Sequence, residues 1–185
     1  MGIGHNLLSM GVSNINIEDF TQAIKDVLAG NQPALSHTEA QKIVSEYFQE
    51  LTTKVNAKNL ERGKAFLEEN KKRGPVVTLP SGLQYEVLQE GNGKRPKATD
   101  RVRCHYEGTL IDGTLFDSSI QRGEPAVFGV NQVIQGWVEA LQLMSEGAKW
   151  RLYIPQELAY GSNGAGDSIP PYSALVFEVE LLNIL

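Results

Sequence analysis

The stretch Val133-Ile134-Gln135-Gly136-Trp137 marks the point where a loop turns into a short helix. This helix is predicted from Gly136 to Met144, because apolar residues recur there at helical spacing. Trp137 then points inward, where a large indole can form the floor of a concave apolar pocket. Aromatic residues elsewhere would supply the walls: Tyr106, Phe116, Phe128, Tyr160 and Phe177. Each of them alone is better explained as core, so only their arrangement indicates a site.

Composition bounds the class of protein. The 185 residues suffice for one medium domain, or for one domain of about 100 residues with a smaller module. Hydrophobic residues make up 41% and charged residues 21%, and no long apolar run occurs, so no membrane span is predicted. The formal net charge of −5 and the lack of any basic cluster denser than Lys71-Lys72-Arg73 argue against nucleic acid as a partner.

The single cysteine, Cys104, allows no intramolecular disulfide. On a strand its neighbour His105 points to the opposite face, so a buried hydrophobe is preferred over a Cys-His dyad. The start, Met1 to His5, lacks a basic segment followed by an apolar one, so no signal peptide is predicted. We expect a cytoplasmic location, with the periplasm as the alternative if the natural chain begins before Met1.

Two short helices are predicted at the start of the chain. Apolar residues recur at helical spacing from Ile3 to Met10, before Gly11, and again from Ile17 to Leu28, before Gly30 and Pro33. The first helix is too short to bury its apolar face by itself. We assign residues 1–35 to an all-α N-terminal dimerisation module.

A long connecting helix is predicted over residues 36–75. Ser36 and Glu39 match the capping box that opens a helix, and Gly74-Pro75 closes it. At 1.5 Å per residue this helix would span roughly 50 Å, more than the diameter of a small domain. Acid-first pairs, Glu50 with Lys54 and Glu68 with Lys72, are typical of exposed helices, and the apolar pattern fades after Val55. The far half is therefore predicted to be a solvated stalk.

The near half of this helix keeps more apolar surface than two short helices can cover. The residues concerned are Ile43, Val44, Tyr47, Phe48 and Leu51. A second copy of the same surface is the simplest cover, so a two-fold homodimer through the N-terminal helices is predicted.

From residue 76 the apolar period changes to two, which is typical of half-buried strands. Strands are predicted around Leu83–Val87, Val102–Tyr106, Trp150–Ile154 and Leu175–Leu181, with a tight hairpin at Asp112-Gly113. The fold class is therefore α+β: a curved antiparallel sheet over residues 76–185, wrapped over the Trp137 helix.

The sequence lacks the residue patterns of common catalytic sites. His5, His37 and His105 have no ligand spacing, so neither a metal site nor a cofactor is predicted. An apolar pocket with Asp117 and two tyrosine hydroxyls remains. Rotation about an X-Pro bond suits it, because this reaction moves no proton and breaks no bond. The barrier of about 18–20 kcal/mol comes from amide resonance, and the twisted amide carries less charge separation, so an apolar cavity favours it.

Six motifs occur in order along residues 81–185: Val102-Arg103-Cys104-His105-Tyr106-Glu107-Gly108, Gly113-Thr114-Leu115-Phe116-Asp117-Ser118-Ser119, Val133-Ile134-Gln135-Gly136-Trp137, Ala159-Tyr160-Gly161, Ile169-Pro170-Pro171 and Leu175-Val176-Phe177-Glu178-Val179. With them the segment resembles the FKBP-type peptidyl-prolyl cis-trans isomerases. The helices before it look like the homodimerising module of bacterial FKBPs of the macrophage infectivity potentiator and FklB type.

The resemblance implies roles for individual residues. Catalytic roles fall to Tyr106, Phe116, Asp117, Trp137, Tyr160 and Phe177, and substrate binding to Val133, Ile134, Ile169 and Phe128. Arg122 matches an arginine that pairs with the pocket aspartate, and the Ile134 amide would bind a ligand carbonyl. The implied partners are a second copy of the chain, proline-containing peptides, unfolded proteins and the macrolides tacrolimus and rapamycin.

Three positions depart from the small eukaryotic prototype of the family. Ala126, Ala165 and Ser168 replace a phenylalanine, a histidine and an isoleucine, which bears on substrate preference and macrolide affinity. The predicted function is a homodimeric prolyl isomerase with chaperone-like activity. The alternatives are a binding module for proline segments or macrolides and a holdase, both without relevant turnover; the intact pocket set favours the enzyme.

Overall fold

The computed structural model describes residues 2–9, 12, 14–32 and 34–185, so the predicted helix end at Met10-Gly11 and the stop at Pro33 lie outside the described residues. The chain divides into two compact units, Met1–Val55 and Asn56–Leu185. The division falls inside the long helix, whereas the sequence places a boundary at residue 75. No helix in the described ranges is both long and apolar enough to cross a membrane.

The first unit consists of helices with defined starts. Helix α1 spans Gly2–Ser9, α2 spans Ile17–Leu28, and α3 begins at His37. The predicted capping box is confirmed, because Ser36 N and Ser36 Oγ donate to Glu39 Oε2 at 2.9 and 2.7 Å, and Glu39 N donates back to Ser36 Oγ at 3.3 Å. In a single chain, no described residue before Asn56 is buried.

Helix α3 spans His37–Asn70, and its far half is not a solvated stalk, so that prediction is wrong. Gly63 and Asn70 are buried, and the Phe66 ring lies 6.0 Å from the Tyr153 ring. Asn70 Nδ2 donates to Gln84 Oε1 at 2.8 Å. Apart from the Phe66 ring, these contacts use polar side chains and a glycine, which carry no apolar signal in the sequence. The predicted ion pair of Glu50 with Lys54 forms at 2.7 Å, whereas Lys72 pairs with Glu69 instead of the predicted Glu68, which pairs with Lys71.

The second unit is built on an antiparallel sheet. Its strands are β1 Val77–Thr78, β2 Gln84–Gln89, β3 Arg101–Leu110, β4 Leu115–Ser118, β5 Ala126–Gly129, β6 Lys149–Ile154 and β7 Leu175–Ile184. The order is β1-β2-β6-β7-β3-β4, and β5 also pairs with β3. Strand β3 thus has β7 along one side and two successive partners, β5 and then β4, along the other. The short strands β1 and β5 and the one-turn helix α4, Ser119–Arg122, were not predicted.

Turns and helix positions follow the sequence closely. The Asp112-Gly113 hairpin forms, with Gly113 at φ 88° and Leu110 N donating to Thr114 O at 2.9 Å. Helix α5 spans Gln135–Leu143, one residue earlier than predicted at each end. A Cβ at Gly136 would lie 2.6 Å from Ile154 Cγ2, so only glycine lets the helix start this close to β6.

The core lies between α5 and the concave face of the sheet. It includes fully buried residues of the helix and of alternate strand positions: Leu141, Met144, Val102, Cys104, Leu152, Val179 and Leu181. Cys104 is inert here, because burial raises the pKa of its thiol to about 12. The predicted α+β class, with helices before a curved antiparallel sheet over a short helix, is confirmed.

Candidate active site

An open cavity of about 610 Å³ lies where α5 meets the sheet. The lining comes from six separate stretches of chain: Tyr106, Phe116, Asp117, Phe128, Gln132, Val133, Ile134, Trp137, Tyr160, Ala165, Ser168, Ile169 and Phe177. Trp137 is 3% exposed and forms the floor. Around it the rings of Tyr106, Phe128 and Phe177 pack edge to face, with centroids 5.3, 5.7 and 5.4 Å from the indole.

One glycine makes room for this arrangement. A Cβ at Gly108 would lie 2.6 Å from a Phe177 ring atom and 2.7 Å from the Phe116 ring. Those two rings meet edge to face at 5.4 Å directly over the strand. Gly108 therefore lets two aromatic walls cover β3, and any larger residue would push them into the cavity.

Three polar side chains at the cavity are joined in one hydrogen-bonded network. Tyr106 Oη donates to Asp117 Oδ2 at 2.5 Å and accepts from Arg122 Nη2 at 2.8 Å. Arg122 Nη1 donates to the other carboxylate oxygen, and its guanidinium lies over the Tyr106 ring at 5.5 Å. Strand β4 presents Asp117, and the one-turn helix α4 returns Arg122 to it; Ser118 caps that helix by accepting from Gln121 N.

These contacts fix the protonation states at neutral pH. Burial alone would raise the pKa of Asp117, but hydrogen bonds from Tyr106 and Arg122 and the arginine charge outweigh it and lower that pKa. Burial and the bond to Asp117 raise the pKa of Tyr106, while burial and the Asp117 charge raise that of Tyr160. The site therefore holds an ionised carboxylate and two protonated phenols.

The structure brings most of the predicted site residues together. Ten of the eleven line the cavity, and the eleventh, Arg122, lies behind Asp117 as its partner. Sequence reasoning missed Gln132 as a lining residue, and it treated Ala165 and Ser168 only as departures from the family pattern. Gln132 lies one residue before the quoted motif, in a turn that gave no helical or strand signal. Ala126 is on β5 beside the core and does not line the cavity.

The chemistry available here is that of an apolar pocket without a proton relay. Within the part of the chain that the structure describes, no three or more His, Cys, Asp or Glu side chains cluster closely enough to hold a metal ion. Both carboxylate oxygens of Asp117 accept hydrogen bonds, whereas Tyr160, which lies at the rim and is 39% exposed, keeps its hydroxyl available as a donor. Such a site defines a protein that binds an apolar group and holds it by few polar contacts.

Family models match both parts of the chain. One, described as FKBP-type peptidyl-prolyl cis-trans isomerase, covers residues 92–182, and one described as the domain amino terminal to FKBP-type peptidyl-prolyl isomerase covers residues 1–87. The FKBP-type 22 kDa peptidyl-prolyl cis-trans isomerase of Escherichia coli (strain K12) is 49% identical, over 99% of this chain and 90% of the relative. The outer membrane protein MIP of Legionella longbeachae is 39% identical, over 98% of this chain and 81% of the relative.

Solved structures give the same result. FkpA from Escherichia coli matches with a TM-score of 0.84 at 37% identity, over 97% of this chain and 86% of that chain. A peptidyl-prolyl cis-trans isomerase from Pseudomonas syringae pv. tomato matches with a TM-score of 0.66 at 42% identity, over 70% and 95%. The chain belongs to the family of FKBP-type peptidyl-prolyl cis-trans isomerases, and its enzyme class is that of prolyl isomerases.

Proposed function

We propose that the chain accelerates rotation about X-Pro bonds in peptides and folding proteins, and that the cavity over Trp137 is where it does so. One observation carries the assignment to this cavity: its walls are aromatic and its carboxylate is fully engaged by Tyr106 and Arg122. A pocket of this kind can desolvate and orient a substrate, but it has no group placed to move a proton.

The proline ring is assigned to the apolar floor, against Trp137 and between Tyr106 and Phe177. Amide resonance holds the X-Pro bond planar, and its charge separation is stabilised by water. Transfer into the cavity removes that stabilisation from the planar form more than from the twisted form, so the barrier falls. Phe116, Phe128, Val133 and Ile169 complete the apolar surround and favour an apolar residue before proline.

Two donors are assigned to hold the substrate during rotation. The protonated Tyr160 hydroxyl at the rim binds the carbonyl that stays fixed while the bond turns, and the Ile134 amide binds a second carbonyl. Asp117 acts indirectly: its charge holds Tyr106 and Arg122 in place, and its lowered pKa keeps it ionised. None of these roles requires acid-base chemistry.

A protease-coupled assay on Leu-Pro peptides tests the mechanism. Tyr160→Phe should lower kcat/KM by about tenfold, as expected for a hydrogen bond that acts in the transition state. Asp117→Ala should lower it by about the same factor, because Tyr106 and Arg122 lose the carboxylate that holds them. Tyr85→Phe is the matched control, since Tyr85 stacks on Trp150 at 4.2 Å and does not line the cavity. Equal rates in wild type and both pocket variants would remove the cavity from the mechanism.

We also propose that the cavity binds the macrolides tacrolimus and rapamycin. The support is that Tyr106, Trp137 and Phe177 form the same apolar box for a ring-containing ligand. Ala165 and Ser168 line one side with small residues, which reduces the apolar contact there. Titration of tacrolimus should inhibit peptide turnover competitively, and Ala165→Phe should tighten the inhibition.

We propose a two-fold homodimer through the N-terminal helices. No described residue before Asn56 is buried in the single chain, and a helical unit without a buried core is not stable by itself. The exposed apolar residues lie on all three helices: Ile3, Leu8, Phe20, Ile24, Val27, Val44 and Tyr47. A second copy offers the same residues, which is what an isologous interface needs.

A dimer carries two pockets, and we propose that it helps large unfolded proteins by binding one client chain at both. Linked weak sites gain avidity when both can engage. Truncation before Asn56 should therefore leave turnover of short peptides unchanged but reduce the acceleration of refolding for a proline-limited protein. A truncated chain that is equally good on protein clients would contradict the two-site arrangement.

A further inference from the structure

We propose that the far half of α3, from Asn56, positions one wall of the pocket, and that Asn59 is the positioning residue. The wall loop, residues 164–174, carries Ala165, Ser168 and Ile169 into the lining. This inference rests on the proposed function of the cavity, but the loop contact itself can be measured without turnover.

Helix α3 touches the wall loop at two points. Asn59 Nδ2 donates to the Pro171 carbonyl at 3.2 Å. One turn further, Gly63 is buried, and a Cβ there would lie 3.2 Å from the Ala174 Cβ. Glycine destabilises a helix relative to alanine, so a glycine inside α3 needs a structural reason. Here the reason is that a side chain would crowd Ala174 where α3 comes closest to the wall loop. The helix thus fixes the loop by one hydrogen bond and one steric stop.

The wall loop needs this external anchor because its own backbone offers few bonds. Pro170 and Pro171 have no N–H, so their backbone makes hydrogen bonds through the carbonyls alone, which accept from Ser173 Oγ at 2.8 Å and from Asn59 Nδ2. The next residue, Tyr172, has φ 60°, a conformation that a tyrosine does not adopt without support from its surroundings. A prolyl pair followed by a strained residue would otherwise be the loosest part of the pocket.

The anchor connects to both functional sides of the loop. Towards Ile169, the segment is closed by Ala165 N donating to Ile169 O at 2.8 Å and Ile169 N to Ala165 O at 3.1 Å. Towards the rim, Tyr172 N donates to Gly161 O at 2.8 Å, and Gly161 directly follows Tyr160. Asn59 therefore acts on the Ile169 wall and on the Tyr160 hydroxyl through two short covalent and hydrogen-bonded routes.

Loss of the Asn59 hydrogen bond should raise KM for the peptide more than it lowers kcat. A loosened loop is in its binding-competent form for only part of the time, and KM rises by the inverse of that fraction. Substrate that does bind meets the same Trp137 floor, so kcat changes less. One neutral hydrogen bond corresponds to a change of about fivefold in such an equilibrium.

The test uses the full chain with three variants. Asn59→Asp keeps the shape but removes the donor and places an oxygen against the Pro171 carbonyl; KM for a Leu-Pro peptide should rise about fivefold or more, with kcat within about twofold. Asn59→Gln keeps an amide donor and should restore a KM nearer to the wild-type value. Lys58→Ala, at an exposed neighbouring position, should match wild type.

A second readout separates this proposal from the function on which it rests. In backbone amide NMR spectra, Asn59→Asp should shift resonances as far as Ile169 and Gly161, whether or not peptides are turned over. Shifts confined to α3 and Pro171–Tyr172, or an unchanged KM in Asn59→Asp, would overturn the positioning role. Wild-type protein without isomerase activity would instead refute the proposed function. The amide shifts would still show whether Asn59 acts on the wall loop as far as Ile169 and Gly161.

Discussion

The two halves of helix α3 have the same backbone but opposite surroundings. Its near half, up to Val55, leaves apolar residues in water: Ile43, Val44, Tyr47 and Val55 are 46–52% exposed. Its far half, from Asn56, keeps Leu60, Phe66 and Leu67 half-buried and buries Gly63 and Asn70. Apolarity therefore does not tell which half is packed within the chain. The near half leaves exposed the apolar surface on which we propose that a second copy packs, and the far half is part of the isomerase unit.

The largest effect is expected from truncation at two points of α3. A chain beginning at Val76 loses the partners of Gln84, a 3% exposed side chain that bonds to Asn70 and to Leu67 O, and it uncovers the Tyr153 ring. We expect its free energy of unfolding to be about 4 kcal/mol lower than that of a chain beginning at Asn56, because it loses the hydrogen bonds to Gln84 and the apolar contacts of α3. Urea unfolding of both measures this, and equal midpoints would show that the far half is dispensable.

A smaller effect is expected from filling the closest contact of the far half. Gly63→Leu forces side-chain atoms against Ala174. The free energy of unfolding should therefore fall by about 2 kcal/mol, as is typical of overpacking. Ala65→Leu, on an exposed position of the same helix, should change stability by less than about 0.5 kcal/mol. Thermal unfolding of both variants is the measurement, and similar values would argue that α3 does not lie tightly on the loop.

A substitution in the near half of α3 should change the dimer dissociation constant rather than the stability of the folded chain. Val44→Glu places a charge on the exposed apolar face, and we expect the dimer dissociation constant to rise about tenfold, the equivalent of 1.4 kcal/mol. Lys42→Gln, at a solvent-exposed position of the same turn, is the control. Light scattering over a dilution series reports the result. A wild-type chain that is monomeric throughout would refute the interface.

The smallest effect is expected from pH. Asp117 has a lowered pKa and Tyr106 and Tyr160 have raised ones, so none of them changes charge between about pH 6 and 9, and kcat/KM should vary less than about twofold. Because the folded pKa of Asp117 lies below its ordinary value of 3.8, its contribution to stability is present above that value and is lost as pH falls through the lowered pKa. A bell-shaped profile near neutrality would indicate acid-base catalysis instead.

The sequence predicted the sheet, the hairpin, α5 and ten of the lining residues, because period-two burial, an Asp-Gly turn and ordered motifs are local signals. It did not predict the packing of α3. Asn59 donates to a backbone carbonyl, which any residue type could offer, and Gly63 allows close packing because it has no side chain, so neither gives an apolar pattern. Gln132 was not predicted to line the cavity for a similar reason, because it is a polar residue in an irregular turn. The compartment stays a prediction, which fractionation of cells that produce the chain would test.

The central claim for this protein is that the Trp137 cavity itself catalyses rotation about X-Pro bonds. Exchange NMR on a Leu-Pro peptide with micromolar full-length protein measures this directly, because the unaided rotation takes tens to hundreds of seconds. We predict exchange that is faster than about once per second with wild type, and about tenfold slower with Tyr160→Phe at equal concentration. Exchange at the unaided rate with wild type, or acceleration by Tyr160→Phe and Asp117→Ala that equals that of wild type, would contradict the claim.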